Sequence, residues 1–328
     1  MKAFLAVHPQ VRKMVLSSET MQKISERLTI VDSGELIWIS GYPEDTEVEI
    51  LITGWGSPPI DDAALLAMPS VKAIFHLGGT VRDQIMSDIW SREIQLITAA
   101  DVNNEMVAEF VVSMSMLALK GSLRASQKMI AGRLPGPVAG PGSYGQTIGL
   151  VSFGSIAQKV ATRLSAWSSD ILAWDPFATD RRFDDLQVRR ATSLKEVFRQ
   201  SSLVSVHAPL IPGETEGMIG RDLLASLPQD AVFINTARGA LVDEAALIEV
   251  FASRPDLFAI LDVTWPEPPA AESPLYDLQN VMLTGHTSGS VGTEARRLGN
   301  FITEQIIRFT EGKPVAGIVS AEEAKIRA

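Results

Sequence analysis

The chain has 328 residues, 46% hydrophobic and 21% charged, with 24 Gly and 18 Pro, which excludes disordered and fibrous classes and, at roughly 150 residues per domain, leaves room for about two cores. Lys and Arg total 29 against 39 Asp and Glu, a net charge of -10, so attraction to polyanions is weak and nucleic acid is not expected as a partner. The absence of cysteine removes disulfides, thiolate nucleophiles and thiolate metal sites, and makes a reducing cytoplasm the expected compartment.

The chain opens on the apolar run Ala3 to Val7, which ends at His8 and Pro9 and is too short for a secretory signal. Further apolar runs at Thr29 to Val31, Glu49 to Thr53, Val71 to Phe75 and Gln95 to Thr98 read as strands, with helix-like segments such as Asp61 to Met68 between them. Strands alternating with helices imply βαβ units and a parallel sheet. A long helix is predicted over Asn104 to Gln127; its most apolar part, Phe110 to Leu119, falls short of the roughly 20 residues that span a bilayer. No membrane association is expected. The Gly/Pro cluster from Gly132 to Gly145 cannot continue a helix and reads as an interdomain connection or a surface loop.

After Gly145 the rhythm restarts, with strands predicted at Thr147 to Val151, Ile171 to Trp174, Leu203 to Val206, Val232 to Asn235, Phe258 to Val263 and Val281 to Leu283. Six strands imply a second parallel sheet. Ile156, Val160 and Leu164 recur at helical spacing, and Asp243 is placed to cap a helix from Glu244. The last segment, Gly292 to Gly312, has helical spacing in Leu298, Ile302 and Ile306 and can pack against either domain.

TIGLVSFGSIAQKVATRL runs strand, turn, helix, the context of a dinucleotide-binding turn. Gly154 lets the backbone approach a pyrophosphate, Ala157 allows close helix packing, and the helix N-terminus supplies amides. Ser152 stands where Gly normally eases the turn, and a plain strand-to-helix turn is the competing reading. Asp175 ends the next strand, 21 residues beyond Gly154, where a carboxylate can accept from an adenosine ribose. Its charge would repel a 2′-phosphate, so NAD is expected over NADP, a preference that Arg181 and Arg182 can soften. The available histidines are His8, His76, His207 and His286, and His207 and His286 close apolar strands, at the edge where ligands bind in open α/β sheets. Arg238 and Glu267 follow apolar strands too, so Arg, Glu and His can converge there.

In this order, GLVSFGSIA, VHAPLIPGET, INTARGALVDEAAL, LDVTWPEP and LTGHTSG resemble the D-isomer-specific 2-hydroxy-acid dehydrogenase family over nearly the whole chain. The resemblance implies an α/β fold of two doubly wound parallel-sheet domains: a Rossmann-type NAD-binding domain over 104–289, inserted in a flavodoxin-like substrate domain of 1–103 plus 290–328. The active site would lie in the cleft. It implies that Arg238 grips the substrate carboxylate and polarises the neighbouring carbonyl, that His286 exchanges the proton, and that Glu267 holds the His286 tautomer. Ser155 and Ile156 would present amides to the pyrophosphate, His207 and Pro209 would line the adenosine, and Ala237 and Asp262 would flank the nicotinamide. Amides of Leu77, Gly78 and Gly79 would meet the substrate carboxylate. No metal is needed.

The chain departs from the family pattern in its GGTVR loop, with Thr80 and Arg82 where the family has Gly and Asp, and in Gly285, Thr287 and Ser288 around His286. The function expected is hydride transfer between NAD(H) and a small 2-oxo or 2-hydroxy acid, by a homodimer. An NAD(H)-sensing protein of the corepressor type is the alternative on the same fold. Binding of S-adenosylmethionine instead would require Arg238, Glu267 and His286 to be coincidental.

Overall fold

Parallel strands buried on both faces need near-continuous apolar sequence and a helical crossover between neighbours, and both conditions recur along the chain. The computed structural model describes residues 1–32, 34, 41–82, 84–132, 140–167 and 170–326. They divide into two units, Met1–Asn104 with Ser290–Ala328, and Glu105–Gly289.

In the first unit, β1 (Lys2–Ala6), α1 (Pro9–Val15), α2 (Ser18–Ser25), β2 (Thr29–Asp32), β3 (Val48–Thr53), α3 (Asp62–Ala67), β4 (Ala73–His76) and β5 (Gln95–Thr98) follow one another. The five strands are parallel in the order β2-β1-β3-β4-β5, the flavodoxin-like doubly wound arrangement. Alternate residues serve opposite faces, as the strand period of two requires. Leu5, Ile52 and Phe75 enter a core with Val15 of α1 and Ile24 of α2, whereas Phe4, Leu51 and Ile74 enter another with Ala64 and Leu65 of α3. Asp61 caps α3 by accepting from the Ala64 amide at 2.8 Å.

Where one helix is predicted over 104–127, two form: α4 (Ala100–Leu119) and α5 (Ser122–Ile130), bent by 69°. The break is at Gly121, whose φ of +73° is a left-handed conformation that only glycine adopts freely. The division between the units falls inside α4, so the interdomain connection is helical. The Gly/Pro cluster is not that connection; its residues 133–139 lie outside the described residues, and its described end falls within the second unit.

The second unit continues with β6 (Thr147–Val151), α6 (Ser155–Ser165), β7 (Asp170–Trp174), α7 (Asp180–Asp184), β8 (Arg189–Arg190), α8 (Leu194–Gln200), β9 (Leu203–Val206), α9 (Arg221–Ala225), β10 (Val232–Asn235), α10 (Glu244–Ser253), β11 (Phe258–Leu261) and β12 (Val281–Leu283). The order β12-β11-β10-β9-β6-β7-β8 is the Rossmann order with one strand added. That sheet has seven strands where six are predicted. The extra one, β8, is two exposed arginines at the edge, where charge discourages edge pairing and leaves no apolar run to read. Phe233, Val206 and Leu261 pack with Leu247 and Phe251 of α10, while Ile148, Leu150 and Ile234 pack with Val160 and Leu164 of α6. As predicted, Asp243 caps α10, accepting from the Ala246 amide at 3.0 Å.

The chain then returns to the first unit. In α11 (Ala295–Thr310), Leu298, Ile302 and Ile306 are fully buried, and the helix packs on β4 and β5 and beside α1 and α2, which assigns the helix left open by its sequence; α12 (Ala321–Ile326) follows. Among the described residues no single helix is long and apolar enough to cross a membrane.

Candidate functional site

One register row crosses the second sheet: Trp174, Val151, Val206, Asn235, Leu261 and Leu283 pair in turn, each the last residue of its strand. Every site residue predicted in this unit lies just past that row. Gly154, Ser155 and Ile156 follow β6, Asp175 follows β7, and His207 and Pro209 follow β9; Ala237 and Arg238 follow β10, Asp262 and Glu267 follow β11, and His286 follows β12. Open α/β sheets bind ligands beyond this edge, near the strands where the order reverses, here β6 and β9.

At that reversal Gly154 precedes α6 with no capping side chain, and a Cβ built on it would meet nothing within 4 Å. The helix therefore starts with no capping side chain on Gly154, at the positive end of its dipole. Nearby, both ring nitrogens of His207 and the hydroxyl of Thr236 are buried without a partner, groups that a polar ligand would satisfy. Burial pushes the His207 imidazole down to about 3, so the ring is neutral. These features fit a dinucleotide. Asp175 differs from the open acceptor expected of it: Oδ1 accepts from the Phe177 and Ala178 amides, and Oδ2 from the Phe153 amide and the Ser152 hydroxyl.

The turn after β12 is organised by Asp262, which is 2% exposed. Its Oδ1 accepts from Thr284 Oγ1 at 2.6 Å and from the Thr287 amide at 2.8 Å, its Oδ2 from the Ser288 amide at 3.0 Å, and its carbonyl from the His286 amide at 2.7 Å. So held, His286 adopts a φ of +60° and its Nδ1 lies 2.6 Å from Glu267 Oε1. With Nδ1 engaged, Nε2 is the nitrogen left for a reactant. The pair is half-exposed, at 52% and 39% for the two side chains.

After β10, the Asn235 side chain closes the loop on itself, donating to the Arg238 carbonyl at 2.9 Å and accepting from the Ala237 amide at 3.0 Å. Arg238 emerges half-buried, its Nη1 donating to the Ala237 carbonyl at 2.7 Å. Trp265, which precedes the Glu267 segment, donates its amide to Glu244, whose carboxyl is pushed up by burial and pulled back by that bond. Among the described residues no group of three His, Asp or Glu is placed to hold a metal ion.

In the first unit the loop after β4 holds Leu77, Gly78 and Gly79. The Leu77 amide donates to the Thr53 carbonyl at 2.8 Å, so it continues the sheet and is not available as the substrate contact expected of it. A Cβ on Gly78 would lie 2.6 Å from His76 Nε2 and 2.8 Å from Trp55 Nε1, so glycine there lets those two side chains close on the loop, whereas one on Gly79 would lie 3.4 Å from Asn103 Nδ2, an ordinary contact. Asn103 is oriented by the Ser290 amide, which donates to its Oδ1 at 3.0 Å. His76 is buried, its Nδ1 2.9 Å from Thr53 Oγ1 and its Nε2 without a partner, and burial pushes the ring down to about 4. Trp55 and Asn103 lie outside the sequence expectations, where His76 is no more than one of four histidines. The signal that found His286, a polar group closing an apolar strand, applies equally to Trp55 and His76.

Comparison with known proteins bears on the family and the fold. Residues 112–288 match the model for the D-isomer specific 2-hydroxyacid dehydrogenase NAD binding domain. The chain is 30% identical over 254 residues to (S)-sulfolactate dehydrogenase of Chromohalobacter salexigens, covering 77% of this chain and 82% of that protein. It is 27% identical over 275 residues to D-3-phosphoglycerate dehydrogenase of Methanocaldococcus jannaschii, covering 84% of this chain and 52% of that one; the chain spans about half the length of the phosphoglycerate dehydrogenases it matches. Among solved structures, a phosphoglycerate oxidoreductase from Rhizobium etli superposes with a TM-score of 0.80 at 22% identity, over 98% of each chain. With more than half of the chain matched by the family model, and Gly154 leading into a helix at the sheet's point of reversal, this protein belongs to the D-isomer specific 2-hydroxyacid dehydrogenase family and binds NAD.

Proposed function

We propose that the chain is an NAD(P)-dependent oxidoreductase that interconverts a small 2-oxo acid and the corresponding D-2-hydroxy acid. The reading rests above all on the 2.6 Å contact between His286 Nδ1 and Glu267 Oε1, on the same sheet edge as Arg238 and the start of α6. A bound nicotinamide supplies two-electron redox chemistry as hydride transfer. Around it, the first-turn amides of Ser155 and Ile156 hold the pyrophosphate, His207 and Pro209 line the adenosine, and Ala237 and Asp262 flank the nicotinamide. Asp262 Oδ2, with one donor in place, has an acceptor site for a carboxamide N–H.

The substrate carboxylate is taken by one arm of the Arg238 fork, whose other arm polarises the 2-oxo oxygen; in the first unit, the Gly78 and Gly79 amides are the donors offered to a carboxylate. His286 Nε2 then delivers a proton to that oxygen in reduction and removes it from the hydroxyl in oxidation. Glu267 keeps the proton on Nδ1 and so fixes the tautomer that leaves Nε2 for the reacting oxygen.

The experiment is a panel of 2-oxo acids assayed with NADH and with NADPH. Steady turnover of at least one acid, lost in His286→Ala, is expected. Dinucleotide binding with no turnover across the panel would refute the oxidoreductase reading and favour a sensing role.

A further inference from the structure

Ser152 holds the first position of the turn between β6 and α6 with φ at +70°, a left-handed conformation disfavoured for any residue with a Cβ. The unfavourable backbone coincides with a specific contact. Ser152 Oγ donates to Asp175 Oδ2 at 3.1 Å, and the same oxygen accepts from the Phe153 amide at 2.7 Å. Oδ1 accepts from the Phe177 and Ala178 amides at 2.8 and 2.9 Å. An ionised carboxylate offers about four acceptor sites, and here all four are taken, in a side chain that is part of a residue only 8% exposed. With glycine at position 152, one site on Oδ2 would stand open.

We propose that Ser152 is a specificity-determining residue for the cofactor: it occupies the acceptor site on Asp175 that a ribose hydroxyl would otherwise use. The inference rests on the dinucleotide reading above. Two consequences act in the same direction. A free 2′-hydroxyl gains no charge-assisted bond from Asp175 and meets only the lone pairs of a serine hydroxyl, a weaker neutral acceptor. A 2′-phosphate meets a carboxylate whose charge is already spread over four donors, so its repulsion is reduced. The chain therefore discriminates weakly between NADH and NADPH, in contrast to the preference for NAD that Asp175 implies from sequence alone.

The test is equilibrium binding of NADH and of NADPH by calorimetry to the wild type, Ser152→Ala and Ser152→Gly, with no turnover involved. Ser152→Ala removes the hydroxyl and keeps the Cβ at positive φ, whereas Ser152→Gly removes both, so agreement between them assigns the effect to the hydroxyl. The wild type is expected to bind the two dinucleotides within about tenfold of each other, and both variants to tighten NADH about three- to tenfold with NADPH nearly unmoved, the difference between a hydrogen bond to a charged acceptor and one to a neutral hydroxyl. Ser152→Gly should also raise the melting temperature, whereas Ser152→Ala should not. A wild type that already prefers NADH by more than about a hundredfold, or an NADH-to-NADPH ratio unmoved in both variants, would overturn the role of Ser152 while leaving the cofactor reading intact. A wild type that binds neither dinucleotide would overturn the cofactor reading and this inference with it.

Discussion

Replacing Glu267 with Gln separates charge from shape in the pair with His286, because the amide oxygen can still accept from Nδ1. The 2.6 Å contact is charge-assisted when the ring is doubly protonated, a class worth about 1.5–3 kcal/mol. Side-chain exposures of 52% and 39% let solvent screen it, which places the expected loss at about 1–1.4 kcal/mol. At about 1.4 kcal/mol per factor of ten, Glu267→Gln should lower kcat/KM by about five- to tenfold. Glu267→Ala also removes the acceptor that fixes the ring, so its loss should be larger. His286→Ala removes the acid itself and should fall by about two to four orders of magnitude. The assay is the steady-state rate of NADH consumption with whichever 2-oxo acid turns over, with dinucleotide affinity measured in parallel to show that binding is retained. Wild-type rates in both Glu267 variants would refute the positioning role. A loss in Glu267→Gln equal to that in His286→Ala would show that Glu267 does more than hold the ring.

Arg238→Lys replaces a planar fork with a single ammonium and is expected to reduce kcat/KM about ten- to a hundredfold; unchanged steady-state kinetics would count against the fork. Gly78→Ala inserts a Cβ 2.6 Å from His76 Nε2 and 2.8 Å from Trp55 Nε1, and should destabilise the protein by about 1–3 kcal/mol while raising KM; a thermal melt and a substrate titration check both. His76 and His207 are held neutral, with folded values of about 4 and about 3 against 6.5 for the free side chain. Below pH 6.5 the unfolded chain gains protons that the fold refuses, so stability is present above that pH and falls towards pH 4 by about 1.4 kcal/mol per pH unit for each ring. Denaturant unfolding at several pH values should therefore show a shallower acid slope in His76→Asn than in the wild type, and equal slopes would contradict burial of a neutral ring.

Much of the second unit was legible because parallel strands buried on both faces must be written as apolar runs, and the residues that end those runs are the ones a ligand can reach. Val206 before His207, Asn235 before Arg238 and Leu283 before His286 locate the carboxyl edge by counting alone. What counting cannot supply is who already holds whom. The Leu77 amide is taken by Thr53, a neighbour in the sheet and not in the chain. Oδ2 of Asp175 is taken by Ser152 and Phe153, more than twenty residues upstream, and Asp262 organises the turn that carries His286. β8 carries no apolar signal because it is an exposed edge, and the boundary between the units lies inside α4, where no composition shift marks it. Burial leaves a local periodic trace in the sequence because it acts on every second or third residue in turn. The satisfaction of hydrogen bonds pairs residues that only the folded backbone brings together, so the sequence determined which groups stand at the candidate site, and the tertiary structure decided which of them still have a free donor or acceptor.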